Sequence, residues 1–221
     1  MTKSQTIIWT WKLAAPLGLF WRLHQLIRSL LMPYHKLLDR IPSRGTLLDL
    51  GCGHGIFLAL AKISHPDLAV AGIDLAQNKI DGARLIFDYA GMKALSLDVS
   101  DISKFPNRSV DIITVIDALY LTPFDQWYSI LEKCYGCLTQ GGRILVKEMD
   151  PSIKWKFLLL YLHEQLSVKT LGWTMADSNK FAFPTSDDMI KCLERTGFNK
   201  IEEKSLDKGY YLPHKLWIAY K

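Results

Sequence analysis

The sequence predicts an α/β fold, in which a mostly parallel β-sheet carries helices on both of its faces. Two stretches predict it. From Leu47 to Phe57, an apolar strand leads through a glycine-rich turn into an apolar run suited to a helix. From Leu68 to Ile73, six residues without a polar side chain indicate a parallel strand that is covered on both faces. A chain of 221 residues is long enough for one such domain with a full-sized core.

The turn after the first strand has the sequence DLGCGHG from Asp49 to Gly55. Glycines at alternate positions let the backbone adopt positive φ and let a ligand approach closely. The helix that follows presents unpaired N–H groups, so the turn suits a nucleotide-like ligand with a carboxylate or a phosphate. Ile56 stands where a dinucleotide fingerprint needs its third glycine, and no Gly-Lys-Ser/Thr ending of a P-loop is present.

The pattern D-x-G-x-G-x-G resembles the first motif of class I S-adenosylmethionine-dependent methyltransferases, and the resemblance continues over about residues 45–221. It implies a Rossmann-like, seven-stranded, mostly parallel sheet with an antiparallel C-terminal strand, and S-adenosyl-L-methionine as the cofactor. It also implies that Asp49 holds the methionine amino group and that Gly51, Gly53 and Gly55 face the methionine and the ribose. The alternative interpretation is a βα turn that is glycine-rich for structural reasons alone.

The second strand ends in Asp74, and a carboxylate at this position can accept hydrogen bonds from both ribose hydroxyls. The resemblance gives Asp74 that role and includes the adjacent Leu75 in the cofactor site. Asp74 could instead cap the helix that is expected over residues 77–90.

The third strand, expected over residues 92–97 near an edge of the sheet, ends in Asp98 and Val99. The resemblance places an acidic side chain here on the adenine amino group and a backbone N–H on the adenine ring. Asp98 could instead cap a loop, and Asp101 is an alternative for the adenine contact.

The remaining elements follow from apolar runs and turn residues. Further strands are expected over residues 111–116, 143–147, 200–204 and 216–220, and further helices over residues 56–64, 124–138 and 185–196. Gln140-Gly141-Gly142 predicts a tight turn before the fifth strand, and the resemblance makes the last two strands an antiparallel hairpin.

Candidate catalytic residues follow the two strands that flank the expected crevice. Asp117 and Tyr120 come after the fourth strand, and Glu148 comes after the fifth, while His163 lies in a later segment. A general base is needed only if the methylated atom belongs to a hydroxyl or a carbon acid. For each residue, a structural or substrate-orienting role is an open alternative.

Residues 1–44 form a basic, aromatic leader before the methyltransferase-like domain of residues 45–221. Seven cations against Asp39 give the first 46 residues a charge of +6, whereas the whole chain carries +5. Between Leu17 and Met32, helical periodicity predicts an apolar and a polar arc. The apolar arc comprises Leu19, Phe20, Leu23, Leu26, Ile27, Leu30 and Leu31, and the polar arc comprises Arg22, His24, Gln25, Arg28 and Ser29.

Two interpretations of this leader stay open. It is either a lid over the active site or a helix in a membrane interface, and one helix could do both. Tryptophans and arginines favour contact of residues 1–32 with an anionic membrane. Arginines, Pro16 and Gly18 argue against a membrane-spanning helix. An apolar insertion over about residues 151–184 predicts a substrate lid and an apolar acceptor, or else a segment that packs against the leader.

The cysteines indicate a reducing compartment. Four scattered cysteines are too few for a disulfide framework, and the Cys134-x-x-Cys137 pair without a second pair or a histidine cluster predicts buried thiols rather than a metal site. We therefore expect a cytoplasmic protein that is peripheral to the membrane, with no bound metal. The segment Asp117-Ala118-Leu119-Tyr120 differs from the Asn/Asp-Pro-Pro-Tyr/Phe of amino-methylating nucleic-acid enzymes, so no nucleic-acid partner is expected.

Taken together, these features predict a methyltransferase that acts on a hydrophobic or lipid-like small molecule at a membrane surface. Two alternatives stay open at this point, namely a methyltransferase of a soluble metabolite and a catalytically silent module that binds the cofactor.

Overall fold

A computed structural model describes residues 1–150 and 185–221 of the chain. Within these residues, helices cover both faces of one central β-sheet. The helices are α1 (Lys3–Leu13), α2 (Leu19–Leu31), α3 (Tyr34–Leu38), α4 (Ile56–Ser64), α5 (Gln77–Tyr89), α6 (Trp127–Cys137) and α7 (Ser186–Thr196). Short 3-10 turns are found at Ala15–Leu17, Leu119–Leu121 and Phe124–Gln126.

Seven strands form the sheet in the order β3-β2-β1-β4-β5-β7-β6. They are β1 (Arg44–Leu50), β2 (Asp67–Asp74), β3 (Ser96–Val99), β4 (Val110–Ile116), β5 (Leu138–Met149), β6 (Lys200–Ser205) and β7 (His214–Tyr220). The first five strands are parallel, and β7 runs antiparallel to both β5 and β6. This arrangement confirms the predicted fold class.

The strand order determines where the candidate functional crevice lies. The chain leaves β1 toward β2 on one side and leaves β4 toward β5 on the other, although β1 and β4 are neighbours. Their carboxyl ends therefore form a topological switch point, where open parallel sheets bind ligands.

Alternating side chains of the strands supply two hydrophobic cores, one on each face. On β1, Leu47 enters the core beneath the leader, α4 and α5, whereas Leu48 and Leu50 enter the core beneath α6 and α7. The leader is integral to the first core, because its residues Leu13, Met32, Tyr34, Leu37 and Leu38 are buried there.

Helix α2 directs its polar face toward the domain, whereas a surface helix usually buries its apolar face. Its two fully buried side chains, Gln25 and Ser29, belong to the polar arc. The apolar arc contains five exposed side chains, at 43–69% of full exposure: Leu19, Phe20, Leu23, Ile27 and Leu30. The periodicity correctly predicts two faces, but the polar one is directed toward the domain.

Several predicted boundaries differ from the structure. Strand β5 extends to Met149, so Glu148 lies within this strand and not after it. Helix α2 begins at Leu19 rather than Leu17, because Gly18 has a positive φ of 79° that is outside the helical region. Strand β3 begins at Ser96 and extends to Val99, so Asp98 and Val99 lie within the strand and not after it. As predicted, β3 is an edge strand.

The turn predicted at Gln140–Gly142 is instead an irregularity inside the long strand β5. Val110 pairs with Leu138 and Ile112 pairs with Arg143, so residues 139–142 stand opposite Asp111 alone. The Asp111 carboxylate accepts hydrogen bonds from the Thr139 hydroxyl and from the backbone N–H of Thr46, which holds this bulge against β1. Among the described residues, no helix has the length and apolar character needed to cross a membrane.

Candidate active site

The glycine-rich loop between β1 and α4 forms the floor of the candidate site. Gly51, Gly53 and Gly55 all have positive φ, as the alternate spacing predicts. A Cβ on Gly51 would approach the Cβ of Ala118 to 2.6 Å, so the loop lies directly against the segment that follows β4. The N–H groups of Gly51 and Cys52 both donate to the carbonyl of Ile73 at 2.9 Å, which ties the loop to β2.

Asp49 lies at the end of β1 with 3% of its surface exposed. The Thr114 hydroxyl of β4 donates a hydrogen bond to its Oδ1 at 2.6 Å. Burial raises the pKa of Asp49 to about 7, against the opposing effects of Thr114 and of the Arg28 charge. A buried carboxylate of this kind is a suitable partner for an ammonium group.

Asp74, at the end of β2, is buried and holds the loop from the other side. Its Oδ2 accepts the N–H of Gly53 at 2.9 Å, and its Oδ1 accepts the N–H of Ala76 at 3.0 Å. Ala76 itself is the N-cap residue of α5, so Asp74 supports the start of this helix without being its cap. Each carboxylate oxygen keeps a further lone pair for a ligand hydroxyl. The adjacent Leu75 is exposed.

The predicted adenine contacts lie at the exposed edge of the sheet. Asp98 accepts a hydrogen bond from the Arg108 guanidinium at 3.3 Å, and 44% of its side chain is exposed. Val99 is also exposed. The alternative residue, Asp101, accepts hydrogen bonds from the N–H and the hydroxyl of Ser103, so its carboxylate serves a local turn.

A small cavity lies above the glycine loop. Asp49, Gly51 and Cys52 line it from the domain, and the leader contributes Gln25, Arg28 and Tyr34. His54 of the loop also lines this cavity. The sequence motifs predict neither these three leader residues nor His54 for the site. The only sequence signal for the leader residues was the polar arc of α2, whose orientation depends on tertiary packing.

The loop and α2 are joined through His54. The Gln25 amide donates a hydrogen bond to Nδ1 of His54 at 3.2 Å, and the ring of Trp21 lies 4.9 Å from the His54 ring. Burial, with nearby cations, lowers the pKa of His54 to about 4, so its imidazole is neutral and can accept this bond.

Arg28 brings a positive charge to the cavity. Tyr34 has the largest effect in raising the pKa of Arg28, and the carboxylates of Asp117 and Asp49 add to it against the opposing effect of burial. Tyr34 lines the same cavity. The cavity wall therefore places a cation near the Asp49 carboxylate, as the two ends of a bound amino acid require.

Asp117 follows β4 at the switch point and forms a buried ion pair. The ammonium of Lys147, which is fully buried on β5, lies 2.6 and 2.7 Å from its two carboxylate oxygens. Burial lowers the pKa of Lys147, and the negative charge of Asp117 offsets part of this shift. Asp117 is also the only non-glycine residue with positive φ in the described part of the chain, at 49°. Such backbone strain is typical of functional sites.

Glu148 and Tyr120 are buried beside this ion pair. Oε1 of Glu148 accepts the N–H groups of Ala118 and Leu119 at 3.2 and 2.9 Å, so it holds the turn after β4. Its Oε2 is buried without a hydrogen-bond partner among the described residues. Burial raises the pKa of Glu148 well above its usual range, and the negative charge of Asp117 adds to this shift against the opposing effects of Lys147 and of the two backbone hydrogen bonds.

The structure thus brings most predicted site residues to the carboxyl ends of the parallel strands. Asp49, Asp74 and the glycines surround the loop, and Asp117, Tyr120 and Glu148 lie around the end of β4. His163 lies outside the described residues. All four cysteines are buried and free. No cluster of histidine, cysteine or acidic residues in residues 1–150 and 185–221 could hold a metal ion.

Comparison with known proteins identifies the family. A family model described as "Methyltransferase domain" matches residues 22–203, which is most of the chain. The chain belongs to this methyltransferase domain family. The matched range begins inside α2, so residues 22–44 of the leader lie within the family match.

Relatives and solved structures agree with this assignment. The chain is 24% identical, over 79% of its length, to the S-adenosylmethionine-dependent methyltransferase UmaA of Mycobacterium tuberculosis, and it spans 61% of that methyltransferase. It is 25% identical, over 80% of its length, to sphingolipid C9-methyltransferase 1 of Gibberella zeae, and it spans 33% of that enzyme. A SAM-dependent methyltransferase from Archaeoglobus fulgidus superposes with a TM-score of 0.63 at 15% identity, covering 85% of this methyltransferase and 92% of the archaeal chain.

The residues of the cavity fit the cofactor of this family, S-adenosyl-L-methionine. Its methionine end carries an ammonium and a carboxylate, and the cavity presents the Asp49 carboxylate and the Arg28 guanidinium. A Cβ on Gly53 would meet nothing within 4 Å, so this part of the loop is open to a ligand. Asp74, next to Gly53, has acceptor positions left for ribose hydroxyls.

Proposed function

We propose that this methyltransferase transfers a methyl group from S-adenosyl-L-methionine to a hydrophobic or lipid-like acceptor, while it is bound peripherally to an anionic membrane. The observation that carries this proposal is the orientation of α2. Its polar face lines the cofactor cavity, and its apolar face is exposed beside that cavity. An apolar acceptor could therefore leave a membrane close to the catalytic crevice.

The cofactor would be held by residues from both the leader and the domain. Asp49 receives the methionine ammonium, and Arg28 with Tyr34 receives the methionine carboxylate. Gly51, Gly53 and Gly55 let the loop backbone approach the methionine and the ribose, and Asp74 accepts the ribose hydroxyls, with Leu75 beside it. Asp98 and Val99 lie where the adenine ring would reach the sheet edge.

The cofactor supplies an electrophilic methyl group on a sulfonium. In such an in-line displacement, the protein acts mainly by holding the acceptor at near-attack distance. Asp117 is held by Lys147 and Glu148 is engaged with the turn, so we infer that both orient the crevice, with Tyr120 lining it. The Oε2 of Glu148, which has no hydrogen-bond partner among the described residues, is a polar atom that can orient an acceptor in the crevice.

Charge and apolar surface together support a membrane partner. The leader adds cations, of which the exposed Lys12 and the partly buried Lys3 lie on α1. Cations near an anionic surface contribute about 1 kcal/mol each, and buried apolar side chains contribute up to about 1.5–3 kcal/mol each. The relative that is named as a sphingolipid methyltransferase agrees with an apolar acceptor.

A second candidate function is methylation of a soluble metabolite. It is favoured by the cavity itself, because Gln25 and Arg28 make α2 a wall of the pocket whether or not a membrane is present. A catalytically silent module that only binds the cofactor is the third possibility.

An acceptor screen separates these functions. The purified chain would be incubated with methyl-labelled cofactor and either extracted lipids or extracted polar metabolites. Label in the lipid fraction supports the proposal, and label only in polar products supports the soluble acceptor. Cofactor binding by calorimetry without transfer to either extract would identify a silent module.

A vesicle experiment tests the surface. Replacing Leu23 and Ile27 by glutamine should lower partition of the full-length chain onto phosphatidylglycerol-containing vesicles by about tenfold or more, because two apolar anchors are lost. Leu85→Gln with Tyr89→Gln is the matched control, since this pair has the same spacing and similar exposure on α5.

Three results would contradict the proposed surface. The first is that the unaltered chain does not partition onto vesicles. The second is that the variant and the control variant partition equally. The third is that the unaltered chain is a dimer and Leu23→Gln/Ile27→Gln is a monomer. The last result would assign the apolar face of α2 to a second copy of the chain. High salt should weaken the preference for anionic over neutral vesicles.

A further inference from the structure

Helix α2 has an inner face toward the cofactor cavity and an outer apolar face toward solvent. Gln25 and Arg28, one turn apart on its inner side, line the cofactor cavity, and Leu23 and Ile27 on its outer side are exposed. No other element separates the two faces. Whatever sets the position of α2 therefore affects both the pocket and the surface.

The middle of α2 is docked by polar contacts, whereas its C-terminal end is anchored by Leu31, which packs against Met149 and Leu212, and by the buried Met32. Its fully buried side chains are Gln25 and Ser29, and the Ser29 hydroxyl has no hydrogen-bond partner among the described residues. The contact with the glycine loop passes through His54, from the Gln25 amide and the Trp21 ring. Segments with few buried apolar contacts open at low free energy.

The N-terminal end of α2 allows such opening, whereas the buried Met32 holds the other end. Gly18 precedes the helix with a φ of 79°, and a Cβ there would meet nothing within 4 Å. Pro33 follows it and ends the helix. An isolated helix of this length is marginal in water, so α2 loses order when it leaves the loop.

We propose that α2 couples cofactor binding to membrane binding, so that each ligand increases the affinity for the other. This inference rests on the proposed membrane function. The cofactor requires the docked helix, because Gln25 and Arg28 then complete its cavity. The vesicle surface prefers the docked helix, because an ordered α2 already presents its apolar face and needs no further ordering. Both ligands therefore select the same state, which gives positive and reciprocal coupling.

The wild-type measurement uses the full chain, S-adenosylhomocysteine as the cofactor probe, and phosphatidylcholine vesicles with one third phosphatidylglycerol. Saturating S-adenosylhomocysteine should raise vesicle affinity by the reciprocal of the docked fraction of α2, so the gain should be larger in a variant that weakens docking than in the wild type. Vesicles should raise the affinity for S-adenosylhomocysteine by the same factor, because linkage is reciprocal.

The decisive variant is Gln25→Ala, which removes the bond to His54 on the side away from lipid. It lowers the fraction of docked helix, so vesicle affinity without cofactor should fall about fivefold or more. Saturating S-adenosylhomocysteine should restore that affinity, because it returns α2 to the loop. Gln77→Ala, at an exposed glutamine of α5, is the matched control and should change neither affinity.

The outer-face variant Leu23→Gln/Ile27→Gln separates coupling from a direct lipid contact. Its vesicle affinity should stay low at saturating S-adenosylhomocysteine, and its affinity for S-adenosylhomocysteine without vesicles should be unchanged. Equal vesicle affinities with and without S-adenosylhomocysteine, in both the wild type and Gln25→Ala, would overturn the coupling and leave the proposed function intact. A lower vesicle affinity at saturating S-adenosylhomocysteine would also overturn it. Failure of the full chain to bind vesicles at all would instead reject the membrane function.

Discussion

At the residue scale, burial in the pocket changes the protonation of Asp49. The carboxylate is enclosed at the end of β1 and has one neutral donor, Thr114. Its pKa of about 7 means that the ligand-free site is only partly ionised near neutral pH. A ligand ammonium requires the ionised form, so binding below this pKa must release a proton.

The affinity for S-adenosylhomocysteine should therefore depend on pH. Between pH 7 and 5.5 it should fall by up to about tenfold per pH unit, because the folded-state pKa of Asp49 is raised and protonation competes with the ligand. Asp49→Asn should bind more weakly at pH 7.5 and should show a flatter pH profile. Calorimetry across this range measures both, and a profile of the variant parallel to that of the wild type would remove Asp49 from the site.

Asp74 gives a second residue-scale prediction. Asp74→Ala should weaken cofactor binding by about 1.5–3 kcal/mol, the scale of lost charge-assisted hydrogen bonds. Part of this loss will be indirect, because the carboxylate also holds the N–H of Gly53. Asp67→Ala, at the exposed start of the same strand β2, is the control. Unchanged affinity of Asp74→Ala in calorimetry would exclude it from the cofactor site.

The residues that sequence reasoning selected and those it missed differ in how they are positioned. Asp49 and Asp74 follow apolar strands directly, so local pattern and parallel topology are enough to place them at one sheet edge. Gln25 and Arg28 reach the cavity only because α2 folds back over a loop about 25 residues later. That packing is a tertiary property which no local period contains.

At the element scale, the turn after β4 is built from the backbone of residues 117–119 and from side chains of β5. Lys147 holds the Asp117 carboxylate, and Glu148 holds two N–H groups of the turn. The positive φ of Asp117 is thereby stabilised by the neighbouring strand. The shape of the crevice thus depends on the register between β4 and β5.

This arrangement predicts a kinetic separation. Tyr120→Phe and Glu148→Gln should lower turnover with the acceptor found in the screen by tenfold or more, while S-adenosylhomocysteine affinity changes less than about threefold. Glutamine keeps an acceptor for the N–H of Leu119, so the turn should persist. Steady-state rates and calorimetry test this, and full activity of both variants would mean that the reacting centre lies elsewhere.

The elements also show where periodicity is sufficient and where it is not. The two arcs of α2 were predicted from the sequence, but a 3.6-residue period does not tell which arc faces the domain. Burial of Gln25 beside His54 decides it. The bulge at residues 139–142 was predicted as a turn because glycines punctuate both, and only the pairing with β4 distinguishes them.

At the scale of the whole molecule, the mostly parallel sheet and the covering of both its faces follow from the sequence, because parallel strands need apolar runs and crossover helices. The global stability of this fold should depend on pH through its buried titratable groups. His54 and Asp49 act in opposite directions, so a comparison of variants is needed to separate them.

His54 has a folded-state pKa of about 4, below the usual value of 6.5. Its contribution to stability is present above pH 6.5 and is lost as the pH falls toward 4, because only the unfolded chain then binds the proton. This contribution amounts to roughly 3 kcal/mol. The free energy of unfolding of His54→Gln should therefore fall less between pH 7 and 4.5 than that of the wild type. Equal losses in urea titrations would show that His54 is not buried in the neutral form.

The outward apolar face of α2 has a practical consequence for anyone who handles the protein. A compact body with one exposed apolar stripe behaves as a surfactant, because any boundary between water and a less polar phase removes that stripe from water. The chain should collect at the air–water surface during shaking, spraying or the thinning of a film. Traces of non-ionic detergent, which occupy the same boundary first, should keep it dispersed.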